Sequence, residues 1–257
     1  MTSAELWATE LAQWSIPEEI LAQAETSPWI HPPALFQIPT SISMNPSHEI
    51  ALAALPKGGS ILDIGCGGGL AAFALSENAG KVIGVDHQAE MLEMFAANAL
   101  NRGIKSETHL GFWPAIASSV SNADVVTVHN VFYNVSDVIP FILELNMHAN
   151  KRVVIEMPAL HPLATLSGAW KYFWNIERPT EPTPDLLIKV LAELGIRANF
   201  KYWSNEVRKE VDPESTVEFM RIRLCLPTSR SEEIRSYLSN NPPSGTRKLA
   251  TIWWDLM

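Results

Sequence analysis

An acidic residue followed by three alternating glycines is the feature of the sequence best suited to ligand binding. Residues 61–77 read ILDIGCGGGLAAFALSE, in which Asp63 precedes Gly65, Gly67 and Gly69. Glycine can adopt positive φ in a tight turn, and its missing side chain lets a ligand approach the main chain. A helix that begins just after these glycines would also present free N–H groups to a carboxylate or phosphate. The stretch therefore predicts a ligand site at the end of a strand.

A second acidic residue ends the next predicted strand. The sequence VIGVD places Asp86 21 residues after Gly65. A carboxylate there can accept two hydrogen bonds from a ribose diol, although it could instead cap the helix predicted from residue 88. The glycine spacing is G-x-G-x-G rather than the dinucleotide fingerprint G-x-G-x-x-G, because Leu70 stands at its third glycine position. This difference weakens a nicotinamide oxidoreductase as an alternative.

Alternating strand and helix patterns from Asn45 onward predict a Rossmann-like α/β fold. Apolar runs of Val and Ile separated by helical patterns favour a doubly wound, mostly parallel sheet that is covered on both faces. The last strand is expected to be antiparallel, with Trp253 and Trp254 on opposite faces. The predicted strands are 60–64, 81–86, 105–110, 123–128, 151–157, 198–205 and 246–255. The predicted helices are 46–55, 68–77, 88–101 and 137–148. Helical insertions are expected at about 159–194 and 212–240.

The first 44 residues lack the alternation of strand and helix patterns that marks the rest of the chain. Helical patterns at 3–14 and 17–25 are followed by a proline-rich stretch at 27–40. Such a segment can lie over a site as a lid or pack as a surface arm, and the sequence leaves both open. We therefore divide the chain into an N-terminal helical or lid segment, 1–44, and a Rossmann-like domain, 45–257.

Composition restricts the class of protein and of partner. The chain has 257 residues and a net charge of −9, with no block of Lys and Arg, so nucleic acid is not expected as a partner. Cys66 and Cys225 form no paired motif, which predicts neither a disulfide framework nor a metal site. We find no signal peptide and no apolar run of about 18 residues. We expect a cytoplasmic protein with no membrane span that acts on a small molecule.

The two acidic motifs together resemble those of a known family. LDIGCGGG followed by IGVDHQAEML is similar to the first two motifs of class I S-adenosylmethionine-dependent methyltransferases, in particular small-molecule-type bacterial members. The similarity covers about residues 45–160. It implies S-adenosylmethionine as the cofactor and methyl transfer as the reaction. The motifs are specific for cofactor and fold but carry little information about the methyl acceptor.

The resemblance also implies roles for individual residues. The three glycines of the turn would line the methionine part of the cofactor, Asp63 would orient its amino group, Asp86 would hold the ribose hydroxyls and His87 would flank the adenine. The family often has an acidic residue before its fourth strand that binds the adenine amine, and Phe112 stands there in this chain. Adenine would then stack on Phe112 or Trp113. His129, at the end of the fourth strand, falls between the cofactor and the substrate.

The candidates for catalysis follow the fourth and fifth strands. A general base is needed only if the acceptor atom begins protonated, and we expect His129, Tyr133 or Glu156 to serve in that role. Simpler alternatives remain open: Tyr133 as a core aromatic with a satisfied hydroxyl, and Glu156 as an ion-pair partner of Arg178. The sequence predicts methyl transfer to an oxygen or nitrogen atom of a small molecule. RNA or protein methylation, or non-catalytic cofactor binding by a regulatory protein, are the alternatives.

Overall fold

The computed structural model describes residues 1–29, 36–206, 212–242 and 245–256. Within them, seven strands form one sheet. The strands are β1 (Gly59–Ile64), β2 (Ala79–Asp86), β3 (Lys105–Leu110), β4 (Ala123–His129), β5 (Ala149–Pro158), β6 (Asn199–Glu206) and β7 (Thr246–Asp255). All seven were predicted from the sequence within two residues at each end.

The sheet has the order β3-β2-β1-β4-β5-β7-β6. The first five of these strands are mutually parallel, whereas β7 is antiparallel to both β5 and β6. This confirms a Rossmann-like, mostly parallel sheet with an antiparallel last strand. The chain order reverses between β1 and β4, and in open α/β sheets ligands bind at the carboxyl edge of the strands at such a point.

Ten α-helices surround the sheet in the described part of the chain. They are α1 (Ser3–Ala12), α2 (Glu18–Leu21), α3 (Pro46–Ala54), α4 (Leu70–Phe73), α5 (Ala89–Asn101), α6 (Val138–His148), α7 (Ser167–Trp174), α8 (Pro184–Glu193), α9 (Pro213–Arg223) and α10 (Ser231–Asn240). Helix α4 is much shorter than the predicted 68–77, because the chain continues after Phe73 in turns closed by i→i−3 hydrogen bonds. None of the described helices has the length and hydropathy needed to cross a membrane.

Alternate residues of the strands supply two separate cores. Leu62 and Ile83 pack on one face with α1, α6 and α8, whereas Ile61 and Val82 pack on the other face with α3, α4 and α5. Side chains alternate between the faces of a strand, so each apolar strand is buried on both sides. Trp254 belongs to the first core and Trp253 packs against the second, as their adjacent positions predicted.

A third apolar cluster lies outside the two sheet cores. Residues of α2, α7, α9 and α10 form it, with Trp170 fully buried near its centre. The segments that carry α7 and the α9–α10 pair leave the sheet after β5 and β6, at the carboxyl edge. Helix α8 packs instead on the sheet, so the predicted insertion 159–194 divides between the third cluster and the first core.

The N-terminal helix is part of the main body. Trp7 of α1 is fully buried, and its indole N–H donates to the carbonyl of Val135 at 2.8 Å. The Trp14 indole likewise donates to the carbonyl of Glu181 at 2.6 Å. Helix α1 and Trp14 therefore pack against the main body. The predicted lid also includes residues 30–35, which lie outside the described residues.

Candidate functional site

The glycine turn joins the carboxyl end of β1 to α4. Gly65, Gly67 and Gly69 have φ values of 67°, 49° and 90°, all in the left-handed region that favours glycine. A Cβ atom on Gly65 would stand 2.5 Å from Cγ2 of Val131, so a side chain there would collide with the segment after β4. The local backbone and its close neighbours together require glycine at this turn.

Asp63 stabilises the glycine turn through hydrogen bonds to its neighbours. The Thr127 hydroxyl donates to its Oδ1 at 3.0 Å, and the Ala72 N–H donates to its Oδ2 at 3.3 Å. The carboxyl group is almost fully buried, and this desolvation raises its pKa to about 7. The two hydrogen bonds act in the opposite direction and lower the pKa. Asp63 thus links β1, β4 and α4. Its predicted role toward the cofactor's amino group remains a prediction.

Asp86 fixes the other side of the turn. Its Oδ2 accepts the Gly67 N–H at 3.0 Å, and its Oδ1 accepts the Gln88 N–H at 3.0 Å. The second bond is the helix-capping contact that the sequence offered as an alternative role for Asp86. A carboxylate oxygen can accept more than one hydrogen bond. Oδ1 also lies 3.5 Å from Nδ1 of His87. Oδ2 accepts one hydrogen bond and retains capacity for a ribose hydroxyl.

Two aromatic rings stack on each other just after the end of β2. His87 and Phe112 stack with their ring centroids 4.9 Å apart and an interplanar angle of 20°. Phe112 is 68% exposed, so its ring is accessible to an adenine. Trp113 instead lies in the first core, where its indole N–H donates to the carbonyl of Phe141 at 3.3 Å and its ring packs edge-on against His148. This placement favours Phe112 over Trp113 as the stacking residue.

A buried polar cluster lies at the ends of β4 and β5. His129 and Glu156 are register partners there, with 3.8 Å between Nδ1 of His129 and Oε2 of Glu156. The Asn45 side-chain amide, at the N-terminus of α3, donates to the same Oε2 at 3.0 Å. Burial lowers the pKa of His129, and the charge of Glu156 opposes this effect. The structure therefore brings together two of the predicted proton-transfer residues.

A second histidine in this cluster was not predicted from the sequence. His48 of α3 stacks on His129 with ring centroids 5.6 Å apart and an interplanar angle of 10°, and it is 3% exposed. Burial, followed by the proximity of His129, lowers its pKa to about 4. Asn45 and His48 lie 81 residues or more before the residues that they contact, Glu156 and His129. No local sequence pattern signals that contact.

Tyr133 is placed away from this cluster. Its hydroxyl donates to the carbonyl of Pro158 at 3.0 Å, and its ring lies between those of Trp7 and His161. Burial raises its pKa, so the hydroxyl holds its proton tightly. These contacts match the alternative of a core aromatic with a satisfied hydroxyl and leave Tyr133 without support as a base.

Arg178, the alternative partner of Glu156, is also placed elsewhere. Its guanidinium donates to the carbonyls of Trp14 and Ser15 and lies over the rings of Trp14 and Trp170. Glu156 therefore does not pair with Arg178, and its carboxylate lies beside Asn45 and His129.

The segment that begins at Phe36 lies against the glycine turn. A Cβ on Gly67 would stand 3.0 Å from Cδ1 of Phe36, and one on Gly68 would stand 2.1 Å from the carbonyl oxygen of Phe36. A valine at position 67 would therefore meet the Phe36 ring before it occupied the space of a ligand.

Comparison with known protein families identifies this arrangement. Residues 61–148, which include the glycine turn, Asp86 and His129, match the family model described as a methyltransferase domain. Residues 61–148 of this chain therefore resemble a methyltransferase domain. This domain and its sheet order confirm the resemblance to class I S-adenosylmethionine-dependent methyltransferases. None of the curated proteins matches the sequence.

Several solved structures share the fold of this chain at low sequence identity. The YcgJ protein of Bacillus subtilis has 17% identity and a TM-score of 0.56, with 81% of this chain and 97% of that chain covered. A cyclopropane-fatty-acyl-phospholipid synthase-like protein of Lactobacillus casei has 16% identity and a TM-score of 0.53, with 81% and 90% covered. Precorrin 8w decarboxylase of Methanobacterium thermoautotrophicum has 14% identity and a TM-score of 0.51, with 94% and 100% covered. At these identities the comparisons establish the fold alone.

Proposed function

We propose that this methyltransferase transfers the methyl group of S-adenosylmethionine to an oxygen or nitrogen atom of a small molecule. The observation that supports this most directly is the placement of Asp86 at the end of β2, where one of its oxygens accepts the Gly67 N–H of the glycine turn and the next residue, His87, stacks on Phe112. Its carboxylate suits a ribose diol, and the exposed ring of Phe112 suits an adenine. The proposal includes a small-molecule partner and a cytoplasmic location.

The residues of the glycine turn and of β2 would hold this cofactor. Gly65, Gly67 and Gly69 would face its methionine part and Asp86 its ribose. When bound, S-adenosylmethionine supplies an activated methyl group on sulfur with a good leaving group. The protein's own contribution is then to hold the acceptor atom close to that methyl group, to align it and to exclude water.

The cluster at the ends of β4 and β5 suits proton removal from an acceptor. Because burial lowers the pKa of His129, its imidazole is neutral at pH 7 and can accept a proton. Glu156 lies 3.8 Å from the His129 ring and would stabilise the imidazolium that forms. This is the arrangement of a general base held by a carboxylate.

RNA or protein methylation and a non-catalytic, cofactor-binding role are the alternatives. The net charge of −9 disfavours an RNA substrate, because a phosphate backbone attracts clustered Lys and Arg. The departure at Phe112 keeps the non-catalytic role open, since this residue replaces an acidic group that often binds adenine in the family. Methyl transfer into a product separates that role from an enzyme.

Calorimetric titration tests the cofactor. We expect S-adenosylmethionine to bind and NADH not to bind. We expect Asp86→Ala to weaken S-adenosylmethionine binding by on the order of 1–3 kcal/mol, the range of a lost charge-assisted pair. A matched control is Asp124→Ala at the opposite edge of the sheet, whose carboxylate accepts the Ser60 N–H at 2.9 Å. The control should lose stability and retain affinity.

Radiolabelled methyl transfer tests the activity. We incubate the protein with labelled S-adenosylmethionine and a small-molecule extract, with the Asp86→Ala variant in parallel. Label in a small molecule with the wild type, and none with the variant, supports the proposal. Binding of S-adenosylmethionine with no labelled product across broad extracts would favour the non-catalytic alternative.

A further inference from the structure

The glycine turn contains a fourth glycine that the G-x-G-x-G spacing does not explain. Gly68 is not among the glycines with positive φ, so its backbone conformation would accept other residues. A Cβ atom at this position would, however, stand 2.1 Å from the carbonyl oxygen of Phe36 and 3.0 Å from Sδ of Met94. The Met94 side chain is flexible and can move away, whereas the Phe36 carbonyl belongs to the main chain. The close approach of Phe36 therefore accounts for glycine at position 68.

Phe36 contacts the preceding residue of the turn as well. The Cδ1 atom of its half-buried side chain lies 3.0 Å from the position that a Cβ on Gly67 would take. From α5, the Asn98 side-chain amide donates to the carbonyl of Gly68 at 3.0 Å. The backbone of Gly67 and Gly68 is therefore held by contacts from two parts of the chain that are distant in sequence.

The segment 36–42, which carries Phe36, is fixed to the main body. The Arg102 guanidinium donates to the carbonyl of Pro39 at 3.0 Å. Ile42 packs against the second core. These contacts do not involve a ligand, so they can hold Phe36 on the glycine turn before a ligand binds.

The backbone that Phe36 contacts is part of the turn that we propose holds the cofactor. The Gly67 N–H donates to Oδ2 of Asp86 at 3.0 Å, so the position of Gly67 also sets how the turn meets that carboxylate. Glycines have little conformational preference of their own, and fixing one costs more backbone entropy than fixing any other residue. A turn of this composition therefore depends on neighbouring groups to keep it in one conformation before binding.

We infer that Phe36 is a positioning residue for S-adenosylmethionine, which holds Gly67 and Gly68 in the conformation that binds the cofactor. The inference rests on the proposed function and adds a residue from outside the part of the chain that matches the family model, 61–148. Phe36 acts through the main chain of the turn. Its loss would lower the affinity by reducing the fraction of molecules in the binding conformation. The N-terminal segment 1–44 then contributes to the cofactor site through this residue.

Substitutions on both sides of the contact separate support of the turn from general packing. Phe36→Ala removes the ring and Phe36→Leu keeps a large apolar side chain. The matched control is Ile42→Ala, because Ile42 is half-buried against the second core in the same segment. Gly68→Ala breaks the contact from the other side by displacing the Phe36 main chain. Its control is Gly245→Ala, where a Cβ would have no described atom within 4 Å.

Three properties are measured for each protein: melting temperature without ligand, calorimetric affinity for S-adenosylmethionine, and hydrogen exchange of the Gly67 amide without ligand. We expect Phe36→Ala and Gly68→Ala to weaken binding by about 10-fold or more, the loss that follows when only about a tenth of the molecules hold the binding conformation. Exchange of the Gly67 amide should become faster in both. Phe36→Leu should keep most of the affinity. Ile42→Ala should lower the melting temperature while affinity and exchange stay at wild-type values, and Gly245→Ala should resemble the wild type.

Wild-type or tighter affinity in Phe36→Ala would overturn the inference, since the ring would then only pack against the turn or block the site. An equal loss of affinity in Ile42→Ala would do the same, because affinity would then follow stability alone. If Phe36→Ala does not fold, wild-type affinity in Gly68→Ala is the overturning result. No binding of S-adenosylmethionine by the folded wild type would refute the proposed function, while the Gly67 amide exchange would still show whether Phe36 holds the turn.

Discussion

At the residue scale, two carboxyl groups with different surroundings support the glycine turn. Asp63 lies below the turn and is held by Thr127 and by α4, whereas Asp86 lies beside it and accepts the Gly67 N–H. Their types and spacing were readable from the sequence. The partner of Asp63 was not, because Thr127 comes from a strand 64 residues away in the chain.

The raised pKa of Asp63 predicts a pH-dependent contribution to stability. Burial raises this pKa from 3.8 to about 7, so between these values the folded protein holds a proton that the unfolded chain releases. The contribution of Asp63 to the free energy of unfolding therefore falls as pH rises through this window. Asp63→Asn removes that dependence. Relative to the wild type, we expect the variant to gain on the order of a few kcal/mol between pH 4 and pH 8.

Urea denaturation of both proteins across this pH range measures the difference. The comparison cancels the titration of groups that the two proteins share. A stability difference that stays constant with pH would mean that Asp63 is ionised in the folded protein at pH 5, contrary to its burial.

At the element scale, the strands and most helices were predictable because their patterns are local. All seven strands match within two residues, since runs of Val and Ile mark buried strands. Helices α2 and α4 are shorter than predicted because helical periodicity does not reveal where turns with i→i−3 bonds replace the helix. The meeting of α3 with β4 and β5 depends on tertiary packing, so His48 and Asn45 could not be recognised as site residues.

The glycine turn can be tested against a turn of equal backbone geometry. Gly65 and Gly103 have φ values of 67° and 66°, but a Cβ on Gly65 would meet Val131 at 2.5 Å, whereas one on Gly103 would have nothing within 4 Å. Gly103→Ala should cost on the order of 1–2 kcal/mol from backbone strain alone. Gly65→Ala should cost more.

The Gly65→Ala, Val131→Ala double variant then separates the cost of backbone strain from the cost of the steric clash with Val131. It should recover part of the additional loss, because it removes the methyl group that the new Cβ meets. Denaturant unfolding checks all four proteins. Equal costs at the two glycines would show that the close approach of Val131 contributes nothing.

The N-terminal helix is expected to be structural. Trp7→Ala removes a fully buried indole that stacks on Tyr133 and hydrogen-bonds Val135, so it should lower the free energy of unfolding by about 3–5 kcal/mol. Trp29→Ala is the matched control, because Trp29 is 52% exposed and should change stability by less than about 0.5 kcal/mol. A Trp7→Ala variant of wild-type stability would return α1 to the role of a removable lid.

At the scale of the whole molecule, one sheet carries two candidate sites along its carboxyl edge. The strands β1 and β2 present the glycine turn and Asp86, and β4 and β5 present His129 and Glu156. The additional helices α7, α9 and α10 leave the sheet at this edge and form a cluster of their own. The sequence predicted the sheet and the insertions, but the division of 159–194 between two cores follows from packing alone.

The net charge of the molecule predicts that it does not bind RNA. With a net charge of −9 and no cluster of basic residues in the sequence, we expect no RNA binding that weakens steeply with salt. Fluorescence anisotropy of labelled structured and single-stranded RNA at low and physiological ionic strength measures this. Micromolar or tighter affinity that falls with salt would favour the RNA methyltransferase alternative.

A crystal structure of the protein with S-adenosylmethionine bound tests the central claim most directly. The claim is that the glycine turn and Asp86 hold this cofactor with its methyl group directed toward His129. We predict that the ribose hydroxyls contact the Asp86 carboxylate and that the methionine part lies against Gly65. Cofactor bound elsewhere, or bound with Asp86 contacting only the protein's own main chain, would contradict the account.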